Sequence, residues 1–490
     1  MRQRVQAVLV ALGHHPLLRQ VAIAAAQQGS LPIYLVGGFL RDALLERPGT
    51  LDIDLVAADP PSLAEALQAS FTGGVVSLGE RFRRVSFPWR GERVQVDLSP
   101  LRGRGIIEDL QRRDFTINAL ALPLGEEPPR LIDAGGGLQD LADGRIRIYD
   151  PRAFTEDPLR LLRAVRLAAQ MEFAIDEHTA EAIRHRAPLL SHIAPERLRE
   201  EFFKTLDSSR AGHWLGKMEG LGLLDVLLPE TQAMRGCLQG PPHRFDVFTH
   251  SLEAVRSVDR IIAALPEFLP QEAPPLVRLL QAEVEGGVSR QALLRFTGLL
   301  HDVAKPHTRS AEGGQVRFLG HAERGAGMVQ EISRHLRLGH RASSMSMTLV
   351  REHFRPLYLR QVKTITPRAR YRFFREFGEL SADLLLLSLA DIHATWGREG
   401  RDFRAHLRFV REMFAFHRER MTTAGPQMLL DGHELMARLA LSPGPFLGFV
   451  LERLREKTAV GHLRTKEAAW QYLERHLNAL REEFAAGESP

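Results

Sequence analysis

At 490 residues, with 44% hydrophobic and 26% charged residues, the chain has the composition of a folded protein of roughly two to four domains, which excludes a mainly disordered chain. Its 65 Lys and Arg against 60 Asp and Glu leave a net +5, which permits a nucleic-acid partner and does not demonstrate one. A single cysteine, Cys237, excludes an intramolecular disulfide and a cysteine-built zinc site, and no apolar run approaches the roughly 18–20 residues that span a bilayer, so the cytoplasm is the expected location and no membrane partner is expected.

Residues 31–60 read as a strand from Ile33 to Val36, a Gly37-Gly38 turn, a short helix from Phe39 to Leu45, a Pro-Gly loop and a second strand from Leu51 to Val56. Further strands are predicted at Val75 to Leu78, Arg84 to Pro88 and Arg93 to Leu98, and another apolar stretch starts at Asp114. From Asp157 the pattern turns helical, which confines the sheet to the first 150 residues. Proline and glycine recur from Leu223 to Pro242 and mark a boundary. A second helical region follows, in which Leu265 to Ser289, rich in Pro, Glu and Gly, reads as an insertion or loop. A last helical unit is predicted from about Met428. Its SPGPF segment is a proline-bounded helix start. There is no internal repeat and no low-complexity tract.

Asp52 and Asp54 alternate on a strand, so both project from one face about 7 Å apart at the backbone. Paired carboxylates at that spacing suit magnesium, which favours hard oxygen ligands. An isolated Asp-x-Asp is more often an exposed turn. Here Gly37 and Gly38 end the preceding strand, where backbone N–H groups can approach phosphate with no Cβ in the way, and Arg41 follows one turn into the helix. The same residues also read as a tight strand-to-helix turn with surface charges Arg41 and Asp42. The two readings are compatible.

YLVGGFLRDALL followed by LDIDL resembles the first motif of class II tRNA nucleotidyltransferases and bacterial poly(A) polymerases. RRDFTINALAL (Arg112 to Leu122), IDAGGGLQDL (Ile132 to Leu141), EDPLRLLRAVRLA (Glu156 to Ala168) and ERLREEFFKTL (Glu196 to Leu206) resemble the later motifs, in the family's order. The resemblance implies an enzyme with a polymerase-beta-like α/β head followed by an all-helical neck, body and tail. In its reaction an RNA 3′-hydroxyl attacks the α-phosphate of a nucleoside triphosphate and pyrophosphate leaves. Asp52 and Asp54 are then the catalytic magnesium ligands, and Gly37, Gly38, Arg41, Arg113, Arg163 and Arg166 bind the nucleotide. Asp97, in RVQVDL, is either a third carboxylate or a strand-end aspartate, and the strand-end reading is preferred.

Asp157 and Arg160, three apart on a predicted helix, are implied by the resemblance to select the incoming base. Cytosine and adenine each offer an amino donor beside a ring-nitrogen acceptor, so a fixed carboxylate beside a fixed guanidinium suits both and mismatches uracil and guanine. On one helix, positions 157, 160, 163 and 166 drift by about 60° per step, so base contacts fall at one end and phosphate contacts farther along.

His250, the pair His301-Asp302, His321 and Asp391 resemble the H…HD…D signature of HD phosphohydrolases. Imidazole and carboxylate ligands suit a second divalent transition metal, with the aspartate able to bridge ions. Retention as a metal-free scaffold is the alternative. The remaining histidines carry no special reading.

The domains expected are a catalytic head at 1–150, a base-recognising neck at 151–225, an HD-type body at 226–425 and a tRNA-binding tail at 426–490. The leading function is template-independent addition of C and/or A, from CTP and ATP, to the tRNA 3′ end, with the acceptor arm held through backbone and shape. Between Leu98 and the RRD motif only SPLRGRGIIEDLQ stands, shorter than the flexible loop of many enzymes that add the whole CCA, which resembles the CC-adding branch. Poly(A) polymerase is the alternative within the family, disfavoured because the chain ends REEFAAGESP and not in a strongly basic extension. An HD metal phosphohydrolase acting on phosphate esters or 2′,3′-cyclic phosphates is the alternative of another class.

Overall fold

The computed structural model describes residues 2–27, 29, 32–47, 52–313, 315–422 and 429–487. The expected Pro48-Gly49 loop, the Leu51 strand start, the Met428 helix start and the last three residues of the REEFAAGESP ending lie outside them. The chain forms two compact units, one of Met1–Ser208 with Trp214–Pro229, the other of Ser209–His213 with Glu230–Pro490.

The first unit is built on a seven-stranded sheet. Its strands are β1 (Ile33–Val36), β2 (Asp52–Ala57), β3 (Gly74–Ser77), β4 (Arg83–Trp89), β5 (Glu92–Pro100), β6 (Leu120–Pro123) and β7 (Ile132–Asp133), in the order β3-β4-β5-β2-β1-β6-β7. Alternation along β2 decides what each face carries. Ile53, Leu55 and Ala57 are buried on one face, whereas Asp52, Asp54 and Val56 share the other. Val56 packs with Val36, Ile106, Leu110, Ala119 and Ala121. Cover thins along the strand from buried Val56 to half-buried Asp54 to exposed Asp52. The carboxylates therefore stand at the open end of a packed face.

The helix after β1 runs Gly37–Leu44, beginning at the glycine pair and not at Phe39 as the sequence suggests. Farther along the chain, the helix Arg160–Met171 buries Leu161, Leu162, Ala164, Val165 and Ala168, and helix Pro195–Leu206 packs against it. Asp157 is not on that helix. The sequence Asp157-Pro158 forces Asp157 out of the helical region, and it caps the preceding helix Ala153–Glu156 with extended backbone (φ −141°, ψ 93°).

The second unit is mostly helical, with two short hairpins, Glu283–Glu285 with Val288–Ser289 and Ser310–Glu312 with Gln315–Arg317. Leu265 to Ser289 is not a loop. It forms helices Leu265–Phe268 and Ala273–Gln281 and the first hairpin, and it sends Leu265, Phe268, Leu269, Leu276 and Leu280 into a core shared with Leu384–Leu387 and Phe403. Helices Gly432–Leu439, Pro445–Ala459 and Lys466–Ala485 close the chain around Leu435, Val450, Leu454, Ala469 and Leu473. Among the described residues no single helix is long and apolar enough to cross a membrane.

Candidate active site and candidate metal centre

β1 and β2 run antiparallel with Val36 opposite Asp54, which sets the turn after β1 directly over the second carboxylate. Gly37 has φ +75°, and a Cβ built on it would lie 2.4 Å from Asp54 Oδ2. Only glycine permits that approach. Burial pushes the Asp54 carboxyl above its ordinary range, against the opposing pull of the Arg113 guanidinium, while Asp97 and Asp52 nearby push it up further. Asp97 is not at a strand end. It lies inside β5, level with Asp54 across the parallel β2–β5 pair. Sequence reading missed this because a register between distant strands is not local information.

Asp52 and Asp54 on one face, with glycine backbone above them, offer the oxygen donors that a hard divalent cation takes. Gly37→Ala is expected to lower nucleotide transfer about 100-fold, since the methyl must displace Asp54 and strain the backbone together. Gly38→Ala, whose Cβ meets nothing nearer than Arg41 Nη2 at 3.7 Å, is the matched control. The nucleotide transfer that the sequence resemblance implies, assayed beside a thermal melt of each variant, makes the comparison.

The arginines divide into two groups. Arg41 donates to Asp42 at 2.8 Å and to Asn118 Oδ1 at 3.0 Å. Asn118 donates to Asp114 Oδ1 at 3.0 Å, and Arg163 donates to Asp114 Oδ2 at 3.3 Å. One chain of hydrogen bonds thus links the turn after β1 to the helix Arg160–Met171. Burial alone would raise the Asp114 carboxyl, but Arg163, Asn118 and the Phe115 N–H hold it below the ordinary range. Arg113 pairs with buried Asp109 at 3.2 Å. Arg166 stands apart from these, donating to buried Glu201 at 2.6 Å and to Gln170 at 2.8 Å, and so joins two helices.

Asp157 and Arg160 remain neighbours through a turn and not through a helix, with the Arg160 N–H donating to the Asp157 carbonyl at 3.0 Å. The Asp157 carboxylate accepts from Arg197 at 3.4 Å. Arg160 donates weakly to the carbonyls of Ala153 and Arg112 at 3.3 and 3.5 Å, and its Nε is buried without a hydrogen-bond partner. The Arg160 guanidinium therefore keeps unspent donor capacity.

The second unit gathers the other predicted set. His250 comes from helix Val247–Ala263 and Asp391 from helix Ser381–Trp396, while His301-Asp302 ends helix Arg290–Leu300 and His321 begins helix His321–His335. His353, which carries no motif, joins them from the end of helix His340–Glu352. Two groups of ligand atoms lie within 4.8 Å of one another, His250 with His301 and Asp302, and Asp302 with His321 and His353. Asp302 is common to both. Nδ1 of His301, His321 and His353 faces the carbonyls of Gly298, Phe318 and Val350 at 2.9, 2.6 and 2.6 Å, so it carries the proton. Each Nε2 is buried without a hydrogen bond.

His301 Nε2 lies 3.2 Å from Asp302 Oδ2 and His321 Nε2 lies 3.5 Å from Asp302 Oδ1. Against the opposing effect of burial, Asp302 holds the His301 imidazole above its ordinary range, and a cation among these atoms would take the place of that proton. Burial drives His353 down to about 3, with His301 adding to the shift, which keeps its imidazole neutral as a ligand must be. Asp302 lies well below the carboxylate range: burial opposes this, and His301 and Lys305, whose ammonium is 2.6 Å away, overcome it. The donor set therefore fits divalent metal, as expected of nitrogen and carboxylate ligands.

Residues 33–147 match the model of the poly A polymerase head domain, 172–234 the probable RNA and SrmB-binding site of polymerase A, and 247–394 the HD domain. The A-adding tRNA nucleotidyltransferase of Deinococcus radiodurans is 35% identical, over 90% of this chain and 94% of its own. The chain belongs to the tRNA nucleotidyltransferase family. A second member, the CC-adding tRNA nucleotidyltransferase of Thermus thermophilus, is 35% identical over 89% of this chain and 92% of its own. The Thermotoga maritima CCA-adding enzyme, solved with tRNA, shares the fold at a TM-score of 0.65 and 21% identity, covering 96% of this chain and 98% of that one.

Proposed function

We propose that this chain is a template-independent tRNA nucleotidyltransferase that adds C from CTP to the tRNA 3′ end and stops at CC. Relatives named for A addition and for CC addition match at the same identity, so the product is argued from the link after β5. That strand ends at Pro100 and the next helix starts at Ile106, leaving residues 101–105, where the resemblance implies a longer flexible loop in many CCA-adding enzymes. In this reading the head is 1–150, the neck 151–225, the body 226–425 and the tail 426–490, with the acceptor arm held by body and tail in the cytoplasm.

Asp52 and Asp54 hold the cation, for which magnesium suits the oxygen donors; when bound, it supplies charge neutralisation to the triphosphate. Gly37 keeps the turn close to Asp54. Arg41, Arg113 and Arg163 present guanidinium forks to a triphosphate of about four negative charges. The tRNA hydroxyl attacks the α-phosphate and pyrophosphate leaves. Arg166 belongs to the same nucleotide-binding set and, through Glu201, also holds its helix to the next. Asp157 accepts from the base's amino group while Arg160 donates to its ring nitrogen, so cytosine is read without a template.

tRNA ending at the discriminator base, at the first C or at CC, incubated with magnesium and labelled CTP or ATP, tests the product on a sequencing gel. Two, one and no added C are expected. A added to CC, or a long A tail, would overturn the reading in favour of a CCA- or A-adding enzyme or a poly(A) polymerase.

A second activity is favoured by the Nε2 atoms buried without a hydrogen bond around Asp302. In this reading His250, His301, Asp302, His321, His353 and Asp391 hold divalent transition metal, and the body hydrolyses phosphate esters or 2′,3′-cyclic phosphates.

A further inference from the structure

The antiparallel β4–β5 pair sets Arg84 opposite Asp97, and the parallel β2–β5 pair sets Asp97 level with Asp54, so three charged residues stand side by side across adjacent strands. Arg84 grips Asp97 with a two-pronged fork, Nε to Oδ1 and Nη2 to Oδ2, each at 2.7 Å. Both side chains are about two-fifths exposed, at 41% and 38%. At that exposure an isolated pair contributes little to stability. This pair is not isolated, because Asp52 and Asp54 also act on Arg84.

Strands in a sheet lie about 4.8 Å apart, a spacing at which neighbouring carboxylates repel. Arg84 removes that repulsion when no cation is bound. It does so by occupying both oxygens of the carboxylate that could otherwise turn toward a cation held by Asp52 and Asp54. A guanidinium does not deprotonate, so it leaves only by breaking both hydrogen bonds.

We propose that Arg84 is a positioning residue of the head: it pins Asp97 with its fork, withholds the third carboxylate from the divalent cation and thereby sets how tightly the head binds that cation. The inference rests on the reading of Asp52 and Asp54 as cation ligands.

Manganese serves as the probe, with bound ion measured by electron paramagnetic resonance on the full chain. The head's ion is the one lost in Asp52→Ala. If that variant loses no manganese, the underlying reading of the head has failed, which is distinguishable from failure of the proposal about Arg84. Arg84→Leu is expected to tighten the head's manganese about ten-fold, since it frees one anionic ligand and removes one positive charge nearby. Arg84→Leu with Asp97→Asn is expected to lose most of that gain. Arg84→Lys keeps the charge without the fork, so a smaller gain of the same sign is expected, and it serves if the leucine variant fails to fold. Unchanged or weaker manganese binding in a folded Arg84 variant would overturn the proposal.

Discussion

Asp54→Asn is expected to lower nucleotide transfer to tRNA by about 10³-fold while tRNA binding stays near its original strength, because the lost contribution belongs to charge stabilisation of the reacting phosphate and not to grip on the RNA. The substitution preserves shape in a site where shape is constrained, since a Cβ on Gly37 would already touch the Asp54 oxygen. It removes a half-buried carboxylate flanked by Asp52 and Asp97. Single-turnover transfer and fluorescence-anisotropy binding, run on the same preparation, separate the two effects. Asp97→Asn is expected to cost much less, because Arg84 already holds both of its oxygens.

On the proposed reading of the body as a metal phosphohydrolase, Asp302→Asn is expected to abolish metal binding there and to lower phosphohydrolysis by about 10³-fold, because one residue supplies ligand atoms to both histidine groups. It also leaves Lys305 without the carboxylate now 2.6 Å from its ammonium, in a buried position. Removing one partner of a buried ion pair costs about 3–5 kcal/mol, so a lower melting temperature is expected as well. His353→Gln separates the effects. It removes one neutral ligand and no charge, and should lower metal content and hydrolysis while leaving the Lys305 pair intact. Metal content by mass spectrometry and hydrolysis of a 2′,3′-cyclic nucleotide are the readouts.

The strands of the head and the alternation of Asp52 with Asp54 were legible because both depend on local pattern, apolar residues at every second position beside a Gly-Gly turn. Asp97 was misplaced and the Arg84 fork unseen because both arise from pairing between strands far apart in sequence. The Pro158 signal was present but outweighed by the surrounding helical periodicity, and so Asp157 was assigned to a helix it only precedes. In Leu265 to Ser289 the Pro, Glu and Gly content suggested solvent, while six apolar residues, Ala273 among them, enter the core. His353 had no motif to announce it. Its position follows from helix His340–Glu352 ending against His301 and His321, a tertiary fact.

The central claim is that the carboxylates of the head, and not the histidine cluster of the body, extend the tRNA. Labelled CTP transfer to tRNA ending at the discriminator base, measured in parallel for the unmodified chain, Asp54→Asn and His353→Gln, tests it most directly. The expected result is two added C residues in the unmodified chain and in His353→Gln, and none in Asp54→Asn. Transfer that survives Asp54→Asn, or that disappears in His353→Gln, would contradict it.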